Sequence, residues 1–291
     1  MKKLIGIFFI IALLSSCSST KKTVTVENNL QQAYDANQYD KVLSKYKQLS
    51  TIAESKGEVI SPSYLLIAAK SAYYLEDYQT AAQLFSNVDN KEKDQETIYM
   101  EAMTYQKFAR PLMEYKFLKE NITQLKSHKN YQKFLQKLYM LEIEFSEYED
   151  AYLLWSQIEE TTDEALMSGQ LKVLEELEKS KEALALSNKL LEKNSAHEAA
   201  LFYTGKHYFN RAEKLYQSEM AKYNRDPNYT TYAYLKRELK KASADFRLAR
   251  DRFEKLYEIS PENKTYISYL KNCYVRLEMK TEAAKMDRLL K

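Results

Sequence analysis

Three histidines, two cysteines and a scatter of carboxylates are the side chains here that could do chemistry, and their spacing argues against most of it. His197 and His207 stand ten positions apart, not the four that set two metal ligands on one helix face, and no zinc-protease glutamate lies between them. His128 is far from both in sequence, so no metal site is expected. Gly57, Gly169 and Gly205 are isolated from one another, which rules out a glycine-rich phosphate loop, and there is no nucleophile elbow. Acidic runs do occur, at Glu142, Glu144, Glu147, Glu149 and Asp150, and again at Glu175, Glu176 and Glu178. A carboxylate pair can hydrolyse a glycoside, but acids interleaved with lysines read first as a solvated helix face. The sequence therefore assigns no catalytic residue, no metal ligand and no diffusible cofactor.

Cys17 is the exception. Lys2 and Lys3 precede an apolar run of eleven residues, Leu4 to Leu14. That run is too short to cross a bilayer, which takes ~20 residues, and it has the layout of a signal peptide over residues 1–16. Leu14-Ser15-Ser16-Cys17 resembles the lipobox of bacterial lipoproteins: a large aliphatic residue, two small ones, then the cysteine that becomes the new N-terminus. The resemblance implies a diacylglyceryl group on the Cys17 thiol and an acyl chain on its freed amine. Such a palmitate-type anchor holds firmly once two or more chains are buried. Ser18, rather than Asp, after that cysteine resembles the pattern of lipoproteins sent to the outer membrane, so the expected location is the periplasmic face of that membrane. Residues 17–26 would form the lipidated tether, and 27–291 the folded part.

Removing residues 1–16 takes away two lysines and no acid, so the net charge falls from +3 to +1, with 42 basic against 41 acidic residues. A balanced, exported chain offers no footprint for phosphates, and nucleic acid is not an expected partner. Cys273 then has no cysteine to pair with but the acylated one, and reads as a small buried hydrophobe.

The elements that position these residues must be helices, because four glycines and four prolines in 291 residues cannot supply the turns of a sheet. A repeat is visible: Ala33-Tyr34, Tyr39 and Tyr46 return 39 positions later as Ala72-Tyr73, Tyr78 and Phe85. Tyr78, Ala81 and Phe85 are echoed by Tyr148, Ala151 and Trp155. Leu201, Thr204, Gly205 and Tyr208, followed by Ala249, Phe253 and Pro261, resemble the two-helix signature of tetratricopeptide repeats. The resemblance implies an all-α fold, a right-handed α-solenoid of TPR-like helix hairpins. Seven pairs are expected, over 27–57, 61–90, 94–126, 128–160, 162–195, 197–262 and 264–291. The sixth is elongated, with its turn at Arg225-Asp226-Pro227-Asn228, where proline stops a helix. The third departs from the pattern, with Pro111 at the start of its second helix, and the fifth keeps Ala183 but lacks the aromatics.

In related repeat proteins the first helix of each pair lines a concave surface. Carried onto the sixth pair, the ligand positions are Phe202, Lys206, Phe209 and Asn210. In the second pair they are Ile67, Ser71 and Tyr74. Such grooves take extended or helical peptides. The 25 tyrosines include Tyr216, Tyr223, Tyr229, Tyr232 and Tyr234 in the long hairpin, read first as packing between its two helices and second as a binding patch. Together these features predict a lipid-anchored scaffold or adaptor that holds other envelope proteins, within an outer-membrane assembly or secretion complex. The rival expectations are a lipoprotein binding glycan or peptide, and a helical-array hydrolase using a carboxylate pair.

Overall fold

The computed structural model describes residues 24–291, and the expected signal peptide, Cys17 and most of the tether lie outside them. Among the described residues there are fourteen α-helices and no strand. In chain order they are α1 (24–35) and α2 (Tyr39–Lys56), α3 (Pro62–Tyr74) and α4 (Tyr78–Ser86), α5 (Gln95–Lys107) and α6 (Pro111–Asn121). Then come α7 (Tyr131–Glu144) and α8 (Tyr148–Trp155), α9 (Glu164–Glu176) and α10 (Ser180–Lys193), α11 (Glu198–Arg225) and α12 (Tyr229–Ile259), α13 (Lys264–Arg276) and α14 (Lys280–Leu290). The chain divides within α7 into two compact units, ending and beginning at Leu141 and Glu142. One boundary differs from the sequence reading: residues 24–26, given there to the tether, are helical. Val26 opens an apolar stripe with Leu30 and Ala33, at i, i+4 and i+7, and is buried with them against Val42 and Leu49.

Six of the seven pairs turn in the same way. Asn37, Glu76, Ala109, Ser146, Glu178 and Glu278 each take a left-handed backbone, with φ between 52° and 62°. The residue after each donates its N–H to a carbonyl five positions back, as in Gln38 to Ala33 (2.8 Å), Asp77 to Ala72 (2.9 Å) and Lys179 to Leu174 (2.8 Å). This closes the first helix and starts the second without glycine. The fifth residue beyond each left-handed position is buried: Val42, Ala81, Glu114, Ala151, Ala183 and Ala283. It is the place where the second helix meets the first, and four of the six are alanine.

The third pair breaks that rule with Glu114, which lies 3.4 Å from Lys137 Nζ. The same pair contains a second buried ion pair, Lys93 Nζ to Glu101 at 2.6 Å, and the Tyr105 hydroxyl donates to Glu101 at 2.8 Å. Pro111 stands at the start of α6, where a missing N–H costs nothing. Charge inside this pair replaces the apolar signature that marks its neighbours.

Within each unit the cores are shared between neighbours. In the first, Ala68, Ala72, Ala81 and Phe85 of the second pair pack with Met100 of α5, and Tyr46 of α2 packs against the same cluster. In the second, Leu171, Leu174, Ala183 and Leu190 of the fifth pair pack with Ala200 and Tyr203 of α11. No pair covers its own apolar face, which is the physical basis of a repeat array.

The sixth pair has helices of 28 and 31 residues, about 42 and 46 Å long at a 1.5 Å rise. Its turn falls at Asp226–Asn228, where Asn228 caps α12 through a reciprocal bond with Thr231. Near its base Gly205 lets the helices close: a β-carbon there would stand 2.9 Å from the Phe253 ring. That ring cannot retreat, because it is buried and stacked 4.7 Å from Tyr269.

Ala81→Leu and Ala249→Leu should each lower stability by ~1–3 kcal/mol through overpacking of these fully buried contacts. Thermal melts that match the parent for both would refute this account of how the helices meet.

Candidate functional site

Of the residues assigned to ligand contact, Lys206 and Asn210 come together with others around an open depression of about 530 Å³ beside α11. One turn of spacing along α11 gives its floor, Tyr203, Lys206, His207, Asn210, Arg211 and Lys214. The end of α9 and the turn into α10 give its rim, Glu175, Glu178 and Ser180. Two first helices of consecutive pairs thus meet here.

The depression carries both signs of charge, and several of its polar groups are tied to neighbours. Lys206 Nζ binds the Glu175 carboxylate and sits 5.2 Å from the Phe202 ring centre. Arg211 makes a two-pronged bond to Asp245 of α12, at 2.6 and 2.5 Å, and stacks on Tyr208 at 5.2 Å. The pairing raises the Arg211 pKa above its already high ordinary value. The Tyr203 hydroxyl donates to the Ser180 carbonyl at 3.4 Å, and burial lifts its pKa. His207 lies over Tyr203, with ring centres 6.3 Å apart. Burial, followed by the positive Arg211, holds its imidazole below the ordinary 6.5. Asn210, Arg211 and Lys214 are the exposed members of the floor.

The other assigned residues do different work. Phe202 turns away, packing on Phe253, Tyr266 and Tyr269, and Phe209 packs on Phe246 and Tyr269. Ile67 packs into the core of the first pair. Ser71 is fully buried and its hydroxyl donates to the Ile67 carbonyl at 2.8 Å, so a ligand cannot reach it. Tyr74 keeps one open face, the other being stacked on Tyr39 at 4.7 Å. The first pair covers the face of α3 that the family pattern assigns to a ligand. Sequence reasoning missed Tyr203, His207, Arg211 and Lys214, although their i, i+4, i+8 and i+11 spacing was a usable signal. It could not find Glu175 and Glu178, which reach the site only through stacking.

Among the described residues no three His, Cys, Asp or Glu side chains gather as a metal would need. Buried Cys273 has its thiol pushed up to about 12 by desolvation.

No protein-family pattern matches the chain, and neither does any curated protein. Solved structures do. A candidate protein-binding protein from Bacteroides ovatus aligns with a TM-score of 0.54 at 16% identity, over 76% of this chain and 99% of that one. The C-terminal part of a TPR repeat-containing protein from Cytophaga hutchinsonii aligns at 0.43 and 16%, over 90% and 93%. A TPR repeats protein from Bacteroides fragilis aligns at 0.35 and 14%, over 87% and 98%. The likeness to the first is one of fold. Together with the repeated hairpins it gives this chain an all-helical fold of TPR-like helix hairpins.

The His207 shift carries a sign. The unfolded chain takes up a proton near pH 6.5 and the folded chain only below that, so the contribution of neutral His207 is complete above about 6.5 and is lost as pH falls through the folded value. His207→Gln should flatten the decline in urea midpoint from about pH 7 to about pH 5. A decline as steep as the parent's would remove His207 as its source.

Proposed function

We propose that this protein is a lipid-anchored scaffold of the bacterial envelope that holds a peptide segment of another protein in the depression between α9 and α11. The single observation that carries the reading is that depression, an open, two-signed surface where Lys206 and Asn210 are joined by Glu175, Glu178 and Lys214. A segment with its own acids and amides can exchange with the Lys206–Glu175 pair and bond to Asn210. The stacked His207 and Tyr203 rings give it an apolar floor. The tetratricopeptide-type fold supports a binding rather than a catalytic role, since it supplies surface and repeats it.

Anchoring at Cys17 and placement at the periplasmic face of the outer membrane rest on the basic start, the short apolar run and the Leu14–Ser18 sequence. The lipid would keep the array at the membrane while the depression faces its partner. A place within an envelope assembly or secretion complex is the setting we propose for it.

Two measurements test this. Purified from membranes in mild detergent, the acylated chain should retain an envelope protein that Lys206→Glu with Asn210→Ala retains at least about tenfold less well. Equal retention by parent and variant would reject the depression as the site. Growth with labelled palmitate should label the parent and not Cys17→Ser, and label in both would reject Cys17 as the acceptor.

A further inference from the structure

We infer that the free end of the α11–α12 hairpin is a seat for anionic phospholipid headgroups. Residues 217–241 carry six basic and three acidic side chains, and the other 266 residues carry 38 of each, so the whole net charge of +3 lies in this tip. Two of the three acids are already matched there. Glu219 binds Lys222, and Glu238 holds Arg237 at 3.0 Å and Lys241 at 2.7 Å. Lys236 and Lys240 form no ion pair among the described residues.

The aromatic residues are arranged with them. Along α12 the buried side is Leu235, Ala242 and Phe246. Tyr229, Tyr232, Lys236 and Lys240, at i, i+3, i+7 and i+11, share a different side. Tyr229 is 87% exposed and Tyr232 50%. This corrects the reading of the hairpin tyrosines as packing residues: Tyr216 lies under Arg276, 4.2 Å from its guanidinium, and Tyr223 touches Tyr232, but Tyr229, Tyr232 and Tyr234 are exposed. Tyr234 lies on the other side, beneath Arg237 at 5.0 Å.

Tyrosine rings with wet hydroxyls, set among lysines, are what the headgroup layer takes up. A protein partner fits less well, because lysine is depleted from the cores of such interfaces and no exposed Leu, Phe or Trp accompanies these tyrosines at the tip. The turn is also built to be buried shallowly. Asn228 accepts from the Thr231 N–H at 3.0 Å, and the Thr231 hydroxyl donates to the Asp226 carbonyl at 2.7 Å, so the backbone at the apex needs little water.

The test uses residues 18–291, the expected mature chain without its acylated cysteine or the apolar leader, and co-sedimentation with phosphatidylcholine vesicles containing about 30 mol % phosphatidylglycerol or none. Binding should be at least about tenfold tighter with phosphatidylglycerol and should weaken as salt rises. Lys236→Glu with Lys240→Glu, and separately Tyr229→Ser with Tyr232→Ser, should each lower it about fivefold or more while melting like the parent. Hydrogen exchange of the chain with an unaltered tip should slow on these vesicles over residues 222–236, a readout that depends on no tip variant. Absence of vesicle binding, equal binding to both lipids, or variants that bind like the parent would overturn the proposal. So would tip variants that leave vesicle binding intact but lose an envelope protein held by the acylated chain, since the occupant would then be a protein.

Discussion

Five residues past the turn, where the second helix of a pair meets the first, four pairs leave room for little more than a methyl group, and much of the packing is arranged around that limit. Ala81, Ala151, Ala183 and Ala283 meet it directly. The long pair meets it with Ala249 and with Gly205, whose missing β-carbon leaves space for Phe253. Aromatic side chains then fill the gaps that close approach leaves to either side, as Phe85 and Phe253 do. The third pair shows the cost of departing from the limit. Glu114 stands at its crossing, and a buried carboxylate needs a cation, which Lys137 supplies. Beside it the Lys93–Glu101–Tyr105 set is likewise closed upon itself.

Much of this was legible because it rests on residue size. The recurrence of Tyr34 and Tyr39 as Tyr73 and Tyr78 reports real ring contacts across two turns, at 6.2 and 6.0 Å. Gly205 with Phe253, and the proline stop at Asp226–Asn228, gave the long hairpin its place. The turns were less legible. Of the six left-handed positions only Asn37 is a residue type that favours that backbone, while Glu76, Ala109, Ser146, Glu178 and Glu278 do not announce it. The site was half legible. Lys206 and Asn210 lie where a first helix should present them, but spacing on one helix cannot say that Phe202 and Phe209 are claimed by α12 and α13, or that Ser71 is sealed beneath the first pair.

The long hairpin gathers most of what is unusual in the chain. Its base is largely matched in charge, with Lys206 answered by Glu175 and Arg211 by Asp245. Its free end is not, and carries the uncompensated charge of the sequence. Two chemically different surfaces on one rigid element suit a protein that must touch two things at once. The helices between them transmit position rather than signal, since a capped pair of this length has few ways to bend.

The turns themselves have a consequence for motion. A left-handed backbone on most residues with a β-carbon costs about 1–2 kcal/mol, asparagine being an exception, and five of the six turns here bear that cost. Each is held only while both flanking helices stay packed. Once one helix lifts away, its turn relaxes to an ordinary backbone and the partner helix loses the fixed angle at which it enters the core. Breathing along this array therefore proceeds in steps one hairpin in size, opening and closing as units rather than fraying residue by residue.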